Sequence, residues 1–219
     1  MQNIAFNGRI QPLMEIVRLT PDNLEEAAKK ASEVLAAGGI VVYPTDTVYG
    51  LAVDALDMEA LNRLKRLKGR DTKRPISIVV PDLKTMEECG TLNEAARAFA
   101  STHLPGPLTL VLPAHPYVPS ELTLNGGVGV RIPNDPFCLT LARAYGRPFT
   151  TTSANQTHMT TPKTVTELVW HFGPRVSEIA LIIDDGERAG GSGSTVVSCL
   201  EETPRILRQG VLSREELGL

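Results

Sequence analysis

A short apolar run that turns abruptly polar is the strongest constraint on how this chain can fold. Ile40–Val42 is a β-branched triplet typical of a buried strand, and Pro44 must end that strand because proline has no N–H to donate. Thr45, Asp46 and Thr47 follow directly. In open α/β sheets, ligands bind beyond the carboxyl ends of the strands, so these side chains are placed to meet a polar ligand. The alternative is a turn in which they cap their own backbone.

Strand-like and helix-like patterns alternate along the rest of the chain. Helices are predicted where apolar residues recur every three or four positions, and strands where short β-branched runs occur. The predicted order is a helix opened by Thr20-Pro21-Asp22 and ended at Gly38, strands 40–42 and 52–55, helix 57–69, strand 76–80, helices 83–89 and 92–103, strands 108–112 and 128–132, helix 135–145, strand 148–155, helix 165–172, and strands 179–183, 194–198 and 205–210. Residues 1–11 show no clear period and are expected to be a loose start. Because no repeat or linker divides the chain, we predict one α/β domain.

Composition excludes several classes of protein. Hydrophobic residues make up 42% and charged residues 21%, which is ordinary for a globular protein. No apolar run reaches the roughly 18 residues of a membrane span, and the start lacks a secretory pattern, so we expect a cytoplasmic protein with no membrane partner. The cysteines number three and lie far apart, which favours buried reduced thiols over a disulfide framework or a zinc site.

Positive charge is concentrated in one segment of a chain whose formal net charge is −3. Residues 63–74 contain seven Lys and Arg and one carboxylate, Asp71. Such a cluster is typical of a local anion-binding patch. The alternative is a solvated helix face, with cations gathered at the helix C-terminus where the macrodipole favours them.

The familiar local signatures of nucleotide, metal and hydrolase sites are absent from the sequence. There is no P-loop, no Rossmann glycine motif, no H-E-x-x-H and no G-x-S-x-G. The four histidines do not have metal-ligand spacing, and no metal-ligating residue is predicted.

The remaining candidates form an anion site built without a P-loop. Its cations are Lys68, Arg70, Arg131 and Arg208, and its hydroxyls are Thr45, Thr47, Thr151 and Ser153. Guanidinium groups bind phosphate or carboxylate oxygens in bidentate fashion, and hydroxyls can serve an ammonium or a ligand hydroxyl. Arg131 lies inside an otherwise apolar strand and therefore needs an anion. This inventory suits a nucleotide together with an amino acid.

Six segments occur in the order and at about the spacing of a known family. They are Pro44-Thr45-Asp46-Thr47-Val48-Tyr49-Gly50-Leu51, Lys68-Gly69-Arg70, Pro105-Gly106-Pro107-Leu108-Thr109-Leu110, Val130-Arg131-Ile132-Pro133, Ser153-Ala154-Asn155 and Ser194-Thr195-Val196-Val197. From about Ile16 to Gly210 the chain resembles the YrdC family, the threonylcarbamoyl-AMP synthases of tRNA modification. The resemblance divides the chain into an N-terminal extension (1–15), a catalytic domain (16–210) and a C-terminal tail (211–219).

The resemblance implies a fold and a reaction. The fold is a single-domain α/β structure with an open, twisted, mixed sheet, flanking helices and a large concave basic cavity. The reaction joins L-threonine, bicarbonate or CO₂, and ATP into threonylcarbamoyl-AMP and pyrophosphate, with Mg²⁺ bound to the ATP phosphates largely through substrate oxygens and water. The product passes to a threonylcarbamoyl-transfer enzyme that modifies tRNA.

The resemblance also assigns roles to residues by position. The nucleotide contacts are Lys68, Arg70, Arg74, Ser153, Asn155, Thr161 and Arg208, with Lys68 and Arg70 as the catalytic pair. The threonine contacts are Thr47, Arg131 and Thr151. These roles are consistent with chemistry that needs alignment and stabilisation of phosphate charge rather than a histidine or serine nucleophile.

The sequence departs from the family pattern at three places. Arg74-Pro75 replaces Asn-Pro, and we favour Arg74 as a substitute phosphate contact. Val79 or Val80 stands where many relatives have a histidine, and Thr157-His158-Met159 replaces a Ser-Gly.

Two other functions stay open at the level of sequence. One is a module that binds tRNA or double-stranded RNA through the basic cluster. The other is a carbamoyl-adenylate enzyme with a different acceptor.

Overall fold

The strands and helices follow the alternation that the sequence predicts. A computed structural model describes residues 4–6, 9–11, 14–69, 75–157, 159–188, 190 and 193–219. The strands are β1 (Ile4–Phe6), β2 (Arg9–Gln11), β3 (Glu15–Arg18), β4 (Val41–Tyr43), β5 (Gly50–Ala52), β6 (Ser77–Val79), β7 (Leu108–Pro113), β8 (Thr123–Leu124), β9 (Gly127–Arg131), β10 (Phe149–Ser153), β11 (Leu181–Asp184), β12 (Thr195–Ser198) and β13 (Arg205–Arg208). The helices are α1 (Leu24–Ala36), α2 (Met58–Lys68), α3 (Leu83–Cys89), α4 (Glu94–His103), α5 (Pro136–Tyr145) and α6 (Val165–Phe172), and three short 3₁₀ turns accompany them.

One mixed sheet organises the described residues. Its order is β13-β12-β7-β9-β6-β10-β5-β4-β11-β3, and β8 adds to β9. Strands β12 and β7, β6 and β9, β4 and β11, and β11 and β3 pair in parallel, whereas the other pairs are antiparallel. The open mixed sheet with flanking helices confirms the predicted fold class.

The two faces of the sheet are covered unequally. Helices α2, α3, α4 and α6 bury one face against alternate apolar residues of strands across the sheet. On the other face, α1 and α5 pack only on the half formed by β11, β4, β5, β6 and β10. The same face of β7, β9 and β12 contributes no residue to that second core. This uneven cover leaves room for a cavity above the uncovered half.

Helix α2 shows how local sequence signals place a functional side chain. The Asp57 carboxylate accepts hydrogen bonds from the backbone N–H groups of Glu59 and Ala60 at 2.9 and 3.0 Å, which caps the helix N-terminus. Gly69 ends the helix with φ of 58°, a left-handed conformation that favours glycine. The helix therefore ends at Lys68, with Gly69 as the stop residue that the sequence predicts.

Several details differ from the sequence-based prediction. Strand β5 ends at Ala52 rather than extending over residues 52–55, and Asp54 forms only an isolated bridge to Phe149. Strand β3 was not predicted because its residues are largely exposed and its pairing with β11 is not a local signal. Strands β1 and β2 form a hairpin where a loose start was expected, and Asn7-Gly8, a dipeptide typical of hairpin turns, was the available signal.

Residues of the predicted N-terminal extension and C-terminal tail pack against the predicted catalytic domain. Glu15 begins β3 and pairs with Leu181, and Leu217 from the predicted tail is 5% exposed within the main core. Within the part of the chain that the structure describes, every helix is too short or too polar to cross a membrane.

Removing the cap of α2 should weaken the fold by a modest amount. We expect Asp57→Ala to lower the free energy of unfolding by about 1 kcal/mol, because two backbone N–H groups lose their partner. Thermal denaturation should show the loss, and Glu33→Ala, at an exposed site in α1, is the control. A cap variant as stable as this control would contradict the assigned role.

The three cysteines should resist alkylation until the protein unfolds. All three are free and buried, and burial raises the pKa of Cys89, of Cys138 and, to about 11, of Cys199. A raised pKa means less thiolate, the reactive form, at pH 8. Mass spectrometry should find little iodoacetamide adduct in native protein and three adducts in denaturant. Modification of native protein at the rate of free cysteine would count against this packing.

Candidate active site

A cavity of about 650 Å³ lies on the uncovered half of the sheet. Much of its wall is formed by alternate residues of several strands, because side chains two residues apart point to the same face. The lining includes Thr109 and Val111 of β7, Gly127, Gly129 and Arg131 of β9, Thr151 and Ser153 of β10, and Val196 and Ser198 of β12. The cavity is therefore a surface of the sheet rather than a gap between domains.

Two glycines of β9, Gly127 and Gly129, leave no side chain at the base of the cavity. A Cβ on Gly129 would lie 2.7 Å from Ser77 Oγ, and a Cβ on Gly127 would lie 2.7 Å from Val111 Cγ1. Contacts that short do not occur in real structures, so larger residues would displace the neighbouring strands' side chains. Glycine at these positions brings the backbone close to whatever occupies the cavity.

The structure brings the described predicted site residues together. Those that line the cavity are Thr47, Lys68, Arg131, Thr151, Ser153, Asn155, Thr161 and Arg208. Arg70 and Arg74, the other two predicted contacts, lie outside the described residues.

Lys68 organises the loop that follows β10. Its side chain is buried, and Nζ donates hydrogen bonds to the backbone carbonyls of Ser153 and Asn155, the latter at 2.8 Å. Ser153 Oγ donates to Asn155 Oδ1 at 2.5 Å, and Asn155 Nδ2 donates to Met159 O at 2.5 Å. The end of α2 and the Ser153-Ala154-Asn155 segment thus form one unit at the edge of the cavity.

The segment after β4 is both a self-capped turn and part of the cavity. Thr45 Oγ1 donates to Val48 O at 2.6 Å and accepts from the N–H groups of Thr47 and Val48 at 3.1 Å. The two hydroxyl oxygens are 3.0 Å apart, and either could be the donor. In both cases the Thr47 oxygen keeps a lone pair for a ligand, so the segment can be a self-capped turn and a ligand contact at once.

Arg131 forms an ion pair with Asp46. Its Nη2 donates to Asp46 Oδ1 at 2.5 Å, and the other carboxylate oxygen accepts from the Asn134 N–H at 3.1 Å. Both side chains are buried, at 5% and 9% exposure. Among the described residues, the buried Arg131 Nε has no hydrogen-bond partner. The guanidinium is thus oriented by Asp46 and lies in the cavity wall.

Arg208 reaches the cavity from the edge strand β13. Its Nη2 donates to Ser194 O at 2.8 Å. Burial and the nearby positive charge of Arg131 lower the pKa of the Arg208 guanidinium. A guanidinium whose charge is disfavoured in this way gains stability when an anion binds beside it.

The cavity wall is strongly positive. Lys68, Arg131, Arg205 and Arg208 line it, and no Asp or Glu is among the described lining residues. Sequence analysis did not assign Arg205, and the signal available was its place with Arg208 in the closing strand. It also did not assign Thr109 and Ser194, although both lie in the quoted motifs; their hydroxyls are 2.8 Å apart.

The basic cluster at residues 63–74 is only partly a surface patch. Lys65 and Lys68 are buried, and Arg63 donates to Gly38 O at 2.5 Å. The last turn of α2 contains Lys65, Arg66 and Lys68, as the helix dipole favours. The described part of the cluster therefore serves the helix end and the cavity more than an exposed face.

The residues that depart from the family pattern differ in where they lie relative to the cavity. Val79 and Val80 are fully buried, one in each core, and neither lines the cavity. Thr157 lines the cavity, whereas His158 lies outside the described residues. In the described part of the chain, no group of three or more His, Cys, Asp or Glu could hold a metal ion.

The chain is an α/β protein with an open mixed sheet and a cavity on one face whose lining charge is suited to an anionic ligand. The Sua5/YciO/YrdC family model, described as "Telomere recombination", matches residues 33–210. The chain belongs to this family, which confirms the resemblance in the sequence.

Individual relatives agree with that assignment. The threonylcarbamoyl-AMP synthase of Bacillus subtilis is 32% identical over 86% of this chain and 54% of its own length. A putative threonylcarbamoyl-AMP synthase of Methanocaldococcus jannaschii is 32% identical over 89% of this chain and 92% of its own length. The crystal structure of P. abyssi Sua5 complexed with L-threonine has 34% identity and a TM-score of 0.84, covering 94% of this chain and 59% of that one. This chain thus spans little more than half of two of these relatives.

The Asp46–Arg131 pair should be strongly coupled. We expect Asp46→Ala to lower the free energy of unfolding by about 3 kcal/mol, because it leaves a buried guanidinium uncompensated. Combining it with Arg131→Met should recover much of that loss, as a double-mutant cycle in denaturant would show.

The control cycle uses Glu87 and Arg97, an ion pair whose side chains are 40% and 57% exposed. Its coupling should be under about 1 kcal/mol. Equal coupling in the two cycles would mean that burial does not set the strength of the Asp46 contact.

Proposed function

We propose that this protein is a threonylcarbamoyl-AMP synthase. It joins L-threonine, bicarbonate or CO₂, and ATP, and releases threonylcarbamoyl-AMP and pyrophosphate. The observation that carries the proposal is the convergence of cations from α2, β9 and β13 on a cavity that also contains hydroxyls from β10 and the turn after β4. No carboxylate is among the lining residues that the structure describes. The names of the B. subtilis and M. jannaschii relatives support the same activity.

The proposed chemistry asks the protein for alignment and charge stabilisation. The threonine amine adds to CO₂ and loses a proton, and the carbamate oxygen then attacks the α-phosphorus of ATP as pyrophosphate leaves. The carbamate is already an anionic nucleophile, so no catalytic base is required at that step. Fixed cations beside the phosphates stabilise the charge that develops on the leaving group.

The predicted nucleotide-binding residues have the following roles in this proposal. Lys68, Arg208, Ser153, Asn155 and Thr161 bind the nucleotide, and their position in the cavity wall is consistent with that role. Arg70 and Arg74 remain predicted nucleotide contacts from the sequence, and Arg70 remains part of the predicted catalytic pair with Lys68.

The amino acid is proposed to bind at Thr47, Arg131 and Thr151. Arg131 lies in the cavity wall, where its guanidinium can donate to the threonine carboxylate, and the Thr47 hydroxyl oxygen can accept a hydrogen bond from an N–H or O–H of the substrate. The P. abyssi structure complexed with L-threonine supports an amino-acid site in a relative of the same fold.

Mg²⁺ is proposed to enter with ATP. Asp46, the carboxylate in the turn after β4, is already bound by Arg131 and the Asn134 N–H. Phosphate oxygens and water are therefore the natural ligands, as is usual for Mg²⁺ on nucleotides.

The proposed product is a mixed anhydride. A second enzyme uses it in the cytoplasm to transfer the threonylcarbamoyl group to tRNA.

Pyrophosphate release tests the proposal directly. Purified protein given ATP, Mg²⁺, bicarbonate and L-threonine should release pyrophosphate, and omission of threonine should abolish the release. Lys68→Ala should lower kcat/KM about 100-fold because a fixed cation is lost, while Lys84→Ala, at an exposed site in α3, should not change it.

The alternatives give different results in the same assay. Threonine-independent release would reject the proposal and favour a carbamoyl-adenylate enzyme with another acceptor. If no release occurs but RNA binds with a steep salt dependence, the RNA-binding function is favoured instead.

A further inference from the structure

The segment that follows β11 is tied to the turn after β4 from outside the cavity. Arg188, whose side chain is 18% exposed, does not line the cavity. Its guanidinium donates through Nη2 to the backbone carbonyl of Thr45 and through Nη1 to Asp185 Oδ2. The same Nη2 is 3.4 Å from Oδ2 of Asp135, which caps α5. One side chain thus joins three separate segments.

Tyr49 provides a second connection between the same two segments. Its hydroxyl donates to Gly186 O at 2.7 Å and accepts from the Asp185 N–H at 2.9 Å. Since Thr45 and Tyr49 lie at either end of the turn that contains Thr47, residues 184–188 support both ends of that turn. The position of Thr47 therefore depends on the contacts that residues 184–188 make with Thr45 and Tyr49.

The contact at Thr45 matters most because the Thr45 side chain makes the hydrogen bonds that hold the turn together. Its hydroxyl is bonded to Val48 O and to the N–H groups of Thr47 and Val48, and Arg188 fixes its carbonyl. If the carbonyl is released, the peptide plane can rotate and change the direction of the Thr47 hydroxyl. Small displacements of positioning groups have large effects on reactions that depend on alignment.

We infer that Arg188 is a positioning residue that fixes the turn after β4 and thereby sets the affinity for the amino-acid substrate. The inference rests on the proposed function for the identity of that substrate. It predicts an asymmetric effect. Loss of the Arg188 contacts weakens threonine binding at Thr47 and spares the nucleotide contacts at Lys68 and Ser153, to which Arg188 is not bonded.

Arg188→Lys is the most informative variant. Lysine keeps a positive charge beside Asp135 and Asp185, but a single ammonium group cannot reproduce the planar fork that reaches three segments. Arg188→Met removes the charge as well. The matched control is Arg18→Met, since Arg18 pairs at 3.0 Å with Asp184 of the same segment but its side chain is 64% exposed.

Steady-state pyrophosphate release gives the first measurement. We expect both Arg188 variants to raise the KM for threonine about tenfold and to leave the KM for ATP within about twofold, because alignment is lost at one subsite only. Arg18→Met should change neither. An unchanged threonine KM in Arg188→Lys, or equal increases in both KM values, would overturn the inference.

Amide hydrogen exchange of the ligand-free protein gives the second measurement and does not depend on the substrate. Exchange at Thr47 and Val48, whose N–H groups bond to Thr45, should become about tenfold faster in Arg188→Lys and stay unchanged in Arg18→Met. Unchanged exchange would overturn the inference even in an active enzyme. Faster exchange in a protein without threonine-dependent release would support the positioning of the turn and reject the proposed function instead.

Discussion

Unbalanced positive charge on one half-covered face of the sheet is the constraint on which the site depends. Taking a guanidinium out of water is costly unless an anion or several acceptors compensate it. Arg131 is compensated by Asp46, whereas Arg208 has the Ser194 carbonyl and a like charge nearby. In the proposed function, a phosphate-bearing ligand supplies the missing negative charge. Under that proposal ligand binding and stability are linked, since a ligand that binds only the folded state stabilises it.

The uneven helical cover explains why the cavity has this position and polarity. Where α1 and α5 pack, the sheet face is apolar, with Val79 and Phe149 in the core. Two residues further along the same strands, on the same face, stand Ser77 and Thr151, which line the cavity. A single strand thus changes from core to site within two residues, and that is why these strands become polar at one end.

Much of this could be predicted from sequence, because the signals are local. The polar segment after β4 positions Thr47, and the capping and stop residues of α2 position Lys68. Each of these two signals can be recognised within about ten residues of sequence. The order of the six motifs then fixes which segments meet.

Partners that meet only in three dimensions could not be predicted. Asp46 looked like a turn residue, yet it is the anion that Arg131 required, 85 positions away. Arg188 lies in a glycine-rich loop with no chemical motif, and its contact with Thr45 spans 143 positions. Both contacts are set by strand order, which the sequence encodes only through the whole core.

The orientation of Arg208 shows the same point at the level of one residue. In the antiparallel pairing of β12 with β13, Ser198 opposes Arg205 and Val197 opposes Ile206, but Val196 opposes Arg208 because the register shifts. Leu207 is the extra residue of a β-bulge. In a regular ladder Val196 would oppose Leu207, and Arg208 would point to the opposite face of the sheet. The bulge therefore turns a cation into the cavity, and strand periodicity alone would have assigned Arg208 to the wrong face.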